Sequence, residues 1–519
     1  MARRCLLALL LMGCPGSRDS DADSPGWDSL TDSGSPDSTA DTGDPLPFPG
    51  PGIVVLAGGG SEGELGEPTS WSARLYAELL VGGDVTGDGL VRVAVLSTAE
   101  ESDWLPGYFE WLGADEAFNL QVATRDDADA ASLTARLAAV DAAFIKGGDQ
   151  GEYYDLWNDT ALEAGLRALV HERGGGIGGT SAGAMSQAEH ALAGGQDLIA
   201  LDVLEDACTP WLDDASDGGS SIHDDFLGFV PGVLVDTHFT QRGRLGRLVG
   251  AMARAIDDGA TVDLLGVGIE QQTGLVVRDG QARVIGVGAV SFVQATAASS
   301  LVRDCGHPLV FTDLQLDRLT DGWSFELEPG RVGEPPADAV AVSWPGVGGA
   351  NAGEWYAYGD LPLHEERFAW VVDRAPAPYG LHPGDDPPLL LDAVAIVDAH
   401  DSERRDVGHE ALYRALYDHP GATGFLLAYG SLLERPDDAS AQVLFADNDE
   451  VGSQPQASTI VVSGHEVDWK GLAPQPSAYD GGDGGLHAAA LCGLRVHLLA
   501  DSARTGVAFD AETRQLVQR

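Results

Sequence analysis

Short apolar runs that alternate with amphipathic stretches are the strongest constraint on how this chain folds. The apolar runs read as buried strands and are Gly52–Ala57, Val91–Leu96, Asn119–Val122 and Ala142–Ile145. The stretches with helical periodicity are Ser70–Leu80, Tyr108–Leu112 and Asp155–His171. Strands that alternate with helices predict an α/β fold, with a mostly parallel sheet covered by helices on both faces.

The chain has 519 residues, a length that suits two or three domains. We expect a signal peptide over 1–14, an acidic linker over 15–50 and an α/β domain over 51–328. Near Ser300 the pattern changes to strand-like runs between stretches rich in proline and glycine. Residues 329–519 are therefore expected to form a β-rich domain or extension, with one helix around Ala411–Asp418. The sequence shows no clear internal repeat.

The first residues have the pattern of an export signal. Arg3 and Arg4 precede the apolar run Leu6–Met12, which is too short to span a bilayer. The run ends in Leu-Met-Gly-Cys, which resembles a bacterial lipobox and would make Cys14 the lipid-bearing residue. A plain signal peptide with an incidental cysteine is the alternative. With no other apolar run near about 20 residues, we expect an exported lipoprotein of the periplasm or cell surface, held to the membrane by lipid alone.

Charge and cysteine content narrow the possible partners. The formal net charge is −51, which disfavours nucleic acid and anionic lipid surfaces. The acidity could serve cationic ligands, or reflect codon bias or salty surroundings. Beyond Cys14 the cysteines are Cys208, Cys305 and Cys492, which allow one disulfide at most. Cys208 with Cys305 is one possible pair, and no cysteine or histidine spacing suggests zinc.

Two motifs have simpler explanations than the ligands they suggest. Gly58–Gly63 follows the first strand and fits the G-x-G-x-x-G pattern of dinucleotide-binding folds. Such a site needs an acidic residue about 20 positions later, at the end of the second strand. The next predicted strand ends near Ser97 and Thr98, which is too late, so a tight strand-to-helix turn is the better interpretation. Asp84–Gly89 is similar to half of a calcium loop, but Val95 stands where the bidentate acid belongs, so a surface turn is expected.

Gly179-Thr180-Ser181-Ala182-Gly183 fits the G-x-S-x-G nucleophile elbow. In such an elbow a strand turns sharply into a helix with serine at the apex, and the glycines let neighbouring chains approach. The preceding 174–179 segment reads as a strand and Ala182–His190 as a helix, so the context fits. Ala182 would offer its N–H to a developing oxyanion.

A nucleophilic serine needs a base, and His238 is the best candidate. It closely follows the apolar strand Val233–Val235. Three arginines come shortly after it, a set that suits a clamp for carboxylates, and they are Arg242, Arg244 and Arg247.

Three blocks of the chain together resemble the cyanophycinase family of serine peptidases, relatives of aspartyl dipeptidase. The blocks are FIKGGDQ from Phe144, GGTSAGA from Gly178 and DTHFTQRGRLGRL from Asp236. They occur in the family's order, and the similarity covers roughly Ile53–Gln294. The resemblance implies a class I glutamine-amidotransferase-like α/β sandwich with a triad in the chain order serine, histidine, acid. It makes 51–328 a cyanophycinase-like catalytic domain.

The resemblance also implies roles for individual residues. Ser181 would be the nucleophile, His238 the base, and the amides of Gly148 and Ala182 the oxyanion donors. The residues expected to line the substrate pocket are Gln150, Asp236, Arg242, Arg244 and Arg247. Thr237 departs from the family, which has glutamine there.

The acid of the triad is the most serious departure. The family has an Asp-Glu pair whose glutamate orients the histidine, and this chain has Glu270-Gln271. Neighbouring strand residues point to opposite faces, so only one of the two can reach the histidine in regular geometry. Either a bulge lets Glu270 serve, or Gln271 orients His238 as a neutral amide, or catalysis is impaired.

The resemblance implies a peptidase that cleaves aspartyl peptides, β-linked as in cyanophycin, through an acyl-enzyme and without metal or cofactor. Two other functions stay open at this stage. One is a surface binding lipoprotein of the same fold with weakened catalysis. The other is an esterase of the α/β-hydrolase type, which would need an acid before a C-terminal histidine.

Overall fold

The computed structural model describes residues 52–334, apart from 85–88, 100–101, 194–197, 199–201, 204–205, 215–218 and 308. From residue 339 it describes the strands alone, with side chains only for 492–498. The signal peptide, Cys14, the linker and the helix expected around Ala411–Asp418 lie outside the described residues.

Eighteen strands fall within the first described part of the chain. In chain order they are β1 (Ile53–Ala57), β2 (Arg92–Ser97), β3 (Glu116–Gln121), β4 (Ala142–Ile145), β5 (Gly176–Thr180), β6 (Ala191–Leu192), β7 (Asp213–Asp214), β8 (Gly219–Ser220), β9 (Ile222–His223), β10 (Val233–Thr237), β11 (Leu265–Ile269), β12 (Thr273–Arg278), β13 (Gln281–Gly286), β14 (Val290–Gln294), β15 (Ser300–Val302), β16 (Val310–Leu319), β17 (Ser324–Glu326) and β18 (Arg331–Val332).

Ten more strands follow. They are β19 (Ala339–Ala341), β20 (Ala395–Ala399), β21 (Thr423–Leu427), β22 (Ser431–Glu434), β23 (Ser440–Phe445), β24 (Ser458–Ser463), β25 (Asp468–Leu472), β26 (Ala489–Ala500), β27 (Val507–Asp510) and β28 (Gln515–Gln518).

The described α-helices are α1 (Trp71–Gly83), α2 (Trp104–Leu112), α3 (Arg125–Ala128), α4 (Ala131–Leu137), α5 (Gln150–Trp157), α6 (Ala161–Arg167), α7 (Ala182–Met185) and α8 (Leu245–Asp257). A π-helical turn, Ala168–Glu172, continues α6. Helix α1 begins where the sequence predicted, because the Ser70 hydroxyl caps it by accepting from the Ala73 N–H.

The first sheet has the strand order β18-β17-β13-β12-β1-β5-β4-β2-β3. Strands β1, β5, β4, β2 and β3 run parallel, and β12 joins β1 antiparallel. Alternate residues of β1 face two separate cores. Val55 packs in a core with α1 and α2, whereas Val54 and Leu56 pack in the core that holds Trp157 of α5 and Leu162 of α6. This arrangement confirms the predicted α/β sandwich, with a sheet between two helical layers. The sheet is mixed and not mostly parallel, because the pairings among β12, β13, β17 and β18 and between β12 and β1 are antiparallel.

Two predicted helices differ from what the sequence indicated, one by a break and one by an early end. The stretch expected as one helix over Asp155–His171 is divided between α5 and α6, because Asp159 has a φ of +57°. The Thr160 hydroxyl donates to the Trp157 carbonyl, and Glu163 accepts from the Asp159 N–H, so both chain ends at the break are capped. The helix expected over Ala182–His190 ends at Met185.

The second sheet extends beyond the predicted boundary at 328/329. Its main path is β10-β11-β14-β16-β26-β24-β21-β20. Strands β16 and β26 pair antiparallel, so residues on both sides of the boundary share one sheet. The β-rich character expected for the last part of the chain is present, whereas the domain boundary itself stays a prediction.

Candidate active site

The site lies where the ends of strands from both sheets meet. Strands β1, β4 and β5 are parallel neighbours, so the loops after their carboxyl ends come together, as in other open α/β sheets. Strands β10 and β11 run parallel in the second sheet, and they are followed directly by His238 and by the Glu270-Gln271 pair. A backbone hydrogen bond of 2.9 Å from the His238 N–H to the Gly58 carbonyl joins the two sets of loops.

Ser181 stands at the sharp turn between β5 and α7. Its φ of 53° and ψ of −119° are strained for a residue with a side chain, as a nucleophile elbow requires. A Cβ at Gly179 would lie 2.3 Å from the Gly183 carbonyl oxygen, and one at Gly183 would lie 2.2 Å from that of Ile145. The two glycines of the motif are therefore needed for close backbone approach, as the sequence predicted.

His238 contacts the serine directly. Its Nε2 lies 2.8 Å from Ser181 Oγ, within the range for proton transfer between a nucleophile and its base. The backbone of His238 also has a positive φ, 48°, and the residue is only 9% exposed. Both reacting side chains therefore sit on strained backbone that the surrounding structure holds in place.

The glycine-rich turn after β1 shapes the position of the histidine. A Cβ on Gly59 would lie 2.4 Å from Cε1 of the His238 ring, and Gly59 has a φ of +89°. The Gly59 carbonyl accepts from the Gln272 N–H at 2.7 Å, which ties this turn to the loop after β11. Sequence reasoning missed this role of Gly59, although the Gly58-Gly59-Gly60 run was its signal.

Gln271 occupies the orienting position. Its Nε2 lies 2.8 Å from His238 Nδ1, and its backbone N–H donates to Gln241 Oε1 at 3.1 Å. The structure thus joins Ser181, His238 and Gln271 in a line. Of the two residues left open by the sequence, the amide contacts the imidazole.

Glu270 has other partners and does not serve as the triad acid in this geometry. It is fully buried, forms an ion pair with Arg318 of β16, and accepts from the Ala289 N–H at 2.9 Å. Arg318 is also fully buried and donates to Ser291 Oγ at 2.8 Å. No sequence signal marked Arg318, because its partner lies 48 residues away and only the folded sheet brings the two together.

Two of the three arginines expected to clamp a substrate bind a carboxylate of the chain itself. Arg247 is 1% exposed and grips fully buried Asp236 with two hydrogen bonds, 2.8 and 2.6 Å long. Arg244 donates to the same carboxylate at 3.2 Å and to the Thr237 carbonyl at 2.7 Å. Burial alone would raise the pKa of Asp236, but the adjacent Arg247 and Arg244 lower it. Asp236 and Arg247 are therefore paired with each other in the protein interior and do not line an open pocket, contrary to expectation.

Two of the predicted pocket residues differ in exposure. Arg242 is exposed, whereas Gln150 is 7% exposed at the first position of α5.

The loop that carries Gly148 lies beside the nucleophile, since a Cβ on Gly147 would be 3.3 Å from the Cβ of Ser181. Tyr153 holds this loop by donating to the Lys146 carbonyl at 2.9 Å. Ala182 is the first residue of α7, where backbone N–H groups have no partner within the helix.

The electrostatic environment keeps His238 neutral. Burial, followed by the positive charges of Arg242 and Arg244, lowers the pKa of His238 to about 3. Near pH 7 the ring is therefore neutral, and one of its two nitrogens has a free lone pair. The same environment makes the imidazolium that forms during catalysis costly, since Gln271 brings no negative charge to offset the arginines.

One further cluster has metal-ligand residue types, namely Cys208, Asp213 and Cys305. The two cysteines form a disulfide, and Asp213 pairs with Arg254 and Arg303. Since a disulfide sulfur cannot act as a thiolate and the carboxylate is already paired, this cluster does not fit a metal.

Comparisons with known proteins agree with the resemblance seen in the sequence. The model of peptidase family S51 matches residues 106–285. A cyanophycinase of Trichormus variabilis is 33% identical over 225 residues, which cover 42% of this chain and 68% of that protein. A cyanophycinase of Synechococcus elongatus is 35% identical over 228 residues, with 43% and 64% covered.

Among solved structures, a peptidase from an acI-B1 Actinobacterium is 21% identical with a TM-score of 0.35, covering 53% of this chain and 96% of its own. A putative peptidase E protein from Listeria monocytogenes EGD-e is 13% identical with a TM-score of 0.28, covering 46% and 99%.

Proposed function

This chain belongs to peptidase family S51 and is a serine-type peptidase, and from that premise we propose that it cleaves aspartyl peptides of the cyanophycin type with Ser181 as nucleophile. The contact that carries the proposal is the 2.8 Å distance between Ser181 Oγ and His238 Nε2 at a strained elbow. The relatives that are named cyanophycinases suggest the substrate class.

In the proposed reaction His238 Nε2 takes the serine proton while Oγ attacks the peptide carbonyl. The N–H groups of Gly148 and Ala182 would stabilise the oxyanion of the tetrahedral intermediate. The imidazolium then gives its proton to the leaving amine, which leaves an acyl group on Ser181. A water molecule, activated by the same nitrogen, releases the acid and restores the serine.

The orientation of the Gln271 amide decides which tautomer the histidine adopts. When Gln271 Nε2 faces Nδ1, the amide donates and the neutral ring carries its proton on Nε2, where it points at Ser181. Attack needs the opposite tautomer, which forms when the amide turns by about 180° and Oε1 accepts from Nδ1–H. A glutamine can make either bond, whereas a carboxylate can only accept.

Positive charge near the base favours an anionic substrate. Arg242 is exposed and is the strongest charged influence on the pKa of His238. A substrate carboxylate bound at Arg242 would offset that charge and stabilise the imidazolium during catalysis. Cyanophycin supplies such carboxylates on its aspartyl units, and the chain's net charge of −51 suits the arginine side chains of that polymer.

The test is release of β-Asp-Arg dipeptide from cyanophycin by the chain, beside Ser181→Ala and the matched surface change Ser61→Ala. We expect release by the parent and by Ser61→Ala, and none by Ser181→Ala. Release by Ser181→Ala would refute Ser181 as nucleophile, and no release by any of the three would refute the substrate.

A binding lipoprotein of the same fold is the second candidate. The observation that favours it is that a neutral amide, Gln271, contacts His238 Nδ1 where a carboxylate would support the imidazolium. Such a protein would bind cyanophycin fragments as tightly as Ser181→Ala does, and would not react with a fluorophosphonate.

We also propose that the chain is exported and anchored by lipid at Cys14. The disulfide between Cys208 and Cys305 supports export, because disulfides persist mainly outside the cytoplasm. Among the described residues no helix is long and apolar enough to cross a bilayer. Labelling of cells with a radioactive fatty acid tests the anchor. Cys14→Ser should lose the label and Cys5→Ser should keep it; equal labelling of both would refute this anchor.

A further inference from the structure

The order of strands in the second sheet is symmetric about its middle. From one edge it runs β10, β11, β14, β16, and from the other edge it runs β20, β21, β24, β26. In both halves the first pair is parallel and the next two pairs are antiparallel. The halves meet where β16 and β26 pair antiparallel, which is the pairing that a local two-fold axis produces.

The remaining strands repeat in the same order. In the first half, β12 and β13 form a hairpin between β11 and β14, and β13 then pairs with β17 and β17 with β18. In the second half, β22 and β23 form a hairpin between β21 and β24, β23 pairs with β27, and β27 with β28. The short strands β15 and β25 each pair with the long strand that follows them. Nine strands of 233–332 thus have counterparts in 395–518.

A short sequence match falls at the same place in both copies. Val235-Asp236-Thr237 ends β10 and Val397-Asp398-Ala399 ends β20, and in the sequence the next residues are His238 and His400. The aspartate is the fourth residue of the strand in each case, and the histidine follows the strand directly. The two copies therefore agree in topology, in register and in the residues around the catalytic base.

Among the strands that the structure describes, the second copy has no counterpart of the half that carries the nucleophile. In the first copy β12 pairs with β1, which begins the parallel sheet that ends in Ser181. In the second copy β22 is the last strand of its four-stranded sheet. Residues 333–394, which precede the second copy, span less than half the length of 53–232.

We infer that residues 395–518 are a catalytically silent second copy of the histidine-bearing half, and that they occupy the place of a partner subunit on β16. The buried faces of the two central strands support this inference. Leu314 and Leu316 of β16 and Leu494, Val496 and Leu498 of β26 are each fully buried. All five belong to the same hydrophobic core cluster, so this junction is part of the core.

Polar contacts fix the register of the junction. The Asp313 N–H donates to His497 Nδ1 at 2.8 Å, and the Gly493 N–H donates to Asp317 Oδ1 at 2.7 Å. Because β16 also carries Arg318, which binds Glu270 beside Gln271, the second copy supports the strand that positions the orienting amide.

The matched histidines test whether the second copy is silent. In the full chain, His238→Ala should lower kcat/KM for peptide cleavage by at least about 1,000-fold, as removal of a triad base does. His400→Ala should leave kcat/KM within about twofold and should not change the melting temperature by more than Asp398→Asn does. A loss of activity in His400→Ala at unchanged stability would overturn the inference, because it would give the second copy a catalytic part. If neither variant changes a measurable peptidase activity, the proposed base is wrong, and the inference of a silent copy, which rests on it, is overturned as well.

Cross-linking across the junction tests the pseudo-subunit. Gln315 and Arg495 are directly opposite partners on β16 and β26, so Gln315→Cys with Arg495→Cys in the full chain should form a disulfide. We expect the mass of one chain on a non-reducing gel and by light scattering, with Gln315→Cys alone as control. A disulfide between two chains, or no disulfide in the double variant, would overturn the inference.

Discussion

Replacing the orienting amide by a carboxylate tests the electrostatics of this site in most depth. In Gln271→Glu the new carboxylate would lie where the amide is now 2.8 Å from His238 Nδ1, which sets its charge about 4 Å from the centre of the imidazolium. At an effective dielectric constant of about 20, a charge pair at about 4 Å is worth about 4 kcal/mol. That energy corresponds to about 3 pKa units.

The substitution should therefore raise the pKa of His238 from about 3 to about 6. In the parent the acid limb of kcat/KM should lie below pH 5, because the ring stays neutral until its pKa is reached. In Gln271→Glu that limb should move to near pH 6. A carboxylate also fixes the ring proton on Nδ1, so kcat at pH 8 should rise at least about tenfold. The rise in kcat should not exceed about 10⁴-fold, which is the loss in kcat when such a carboxylate is removed from a serine protease.

The assay is the pH dependence of peptide cleavage, with Gln272→Glu as matched control. Gln272 donates to the Ser61 carbonyl and lies one residue from the orienting position, so its change adds the same charge without the contact to Nδ1. An unchanged kcat and an unchanged acid limb in Gln271→Glu would refute the reasoning. An equal gain in Gln272→Glu would show that general charge, and not the contact, is responsible.

Three further outcomes are expected. Gly59→Ala should lower kcat at least about 100-fold, a cost typical of a misplaced catalytic group, because its Cβ would lie 2.4 Å from the ring of His238. Gly66→Ala is the control, since Gly66 has a similar φ of +97° but nothing within 4 Å of its Cβ position, and it should keep kcat. Equal losses in the two variants would contradict this. Arg318→Met should lower the free energy of unfolding, measured in urea, by about 3–5 kcal/mol because it leaves the buried carboxylate of Glu270 unpaired. Adding Glu270→Gln to the same chain should restore part of the lost free energy. No restoration would contradict the pairing. Burial and a nearby arginine lower the pKa of His497 to about 3, so from about pH 6.5 down to 3 the folded chain binds fewer protons than the unfolded one. The free energy of unfolding should therefore fall by about 1.4 kcal/mol per pH unit as the pH falls through that range. His497→Asn should have a shallower slope, and an unchanged slope would contradict the lowered pKa.

The parts of the site that local sequence determines were predictable. The elbow at Ser181 needs glycines at fixed spacing on a strand-to-helix turn, and those residues appear in the chain in that order. The family resemblance and the α/β sandwich are both confirmed, because strand and helix periodicity and short motifs are local properties. Capping residues at the break between α5 and α6, Thr160 and Glu163, were also readable signals that the long amphipathic pattern obscured.

Partners distant in sequence were not predictable. Whether Glu270 or Gln271 faces His238 depends on where β11 ends, and Arg318 of β16 takes the glutamate. The arginines after His238 suggested a substrate clamp, yet Arg244 and Arg247 bind the carboxylate of Asp236 in the same chain. The second copy escaped notice because strand pairing, and not residue identity, carries most of the repeat.

Mapping of a fluorophosphonate adduct by peptide mass spectrometry tests the central claim most directly. The account predicts a single adduct on Ser181 in the parent chain, much slower labelling in His238→Ala, and none in Ser181→Ala. An unlabelled parent, or labelling that is as fast in His238→Ala as in the parent, would contradict a nucleophile activated by this histidine.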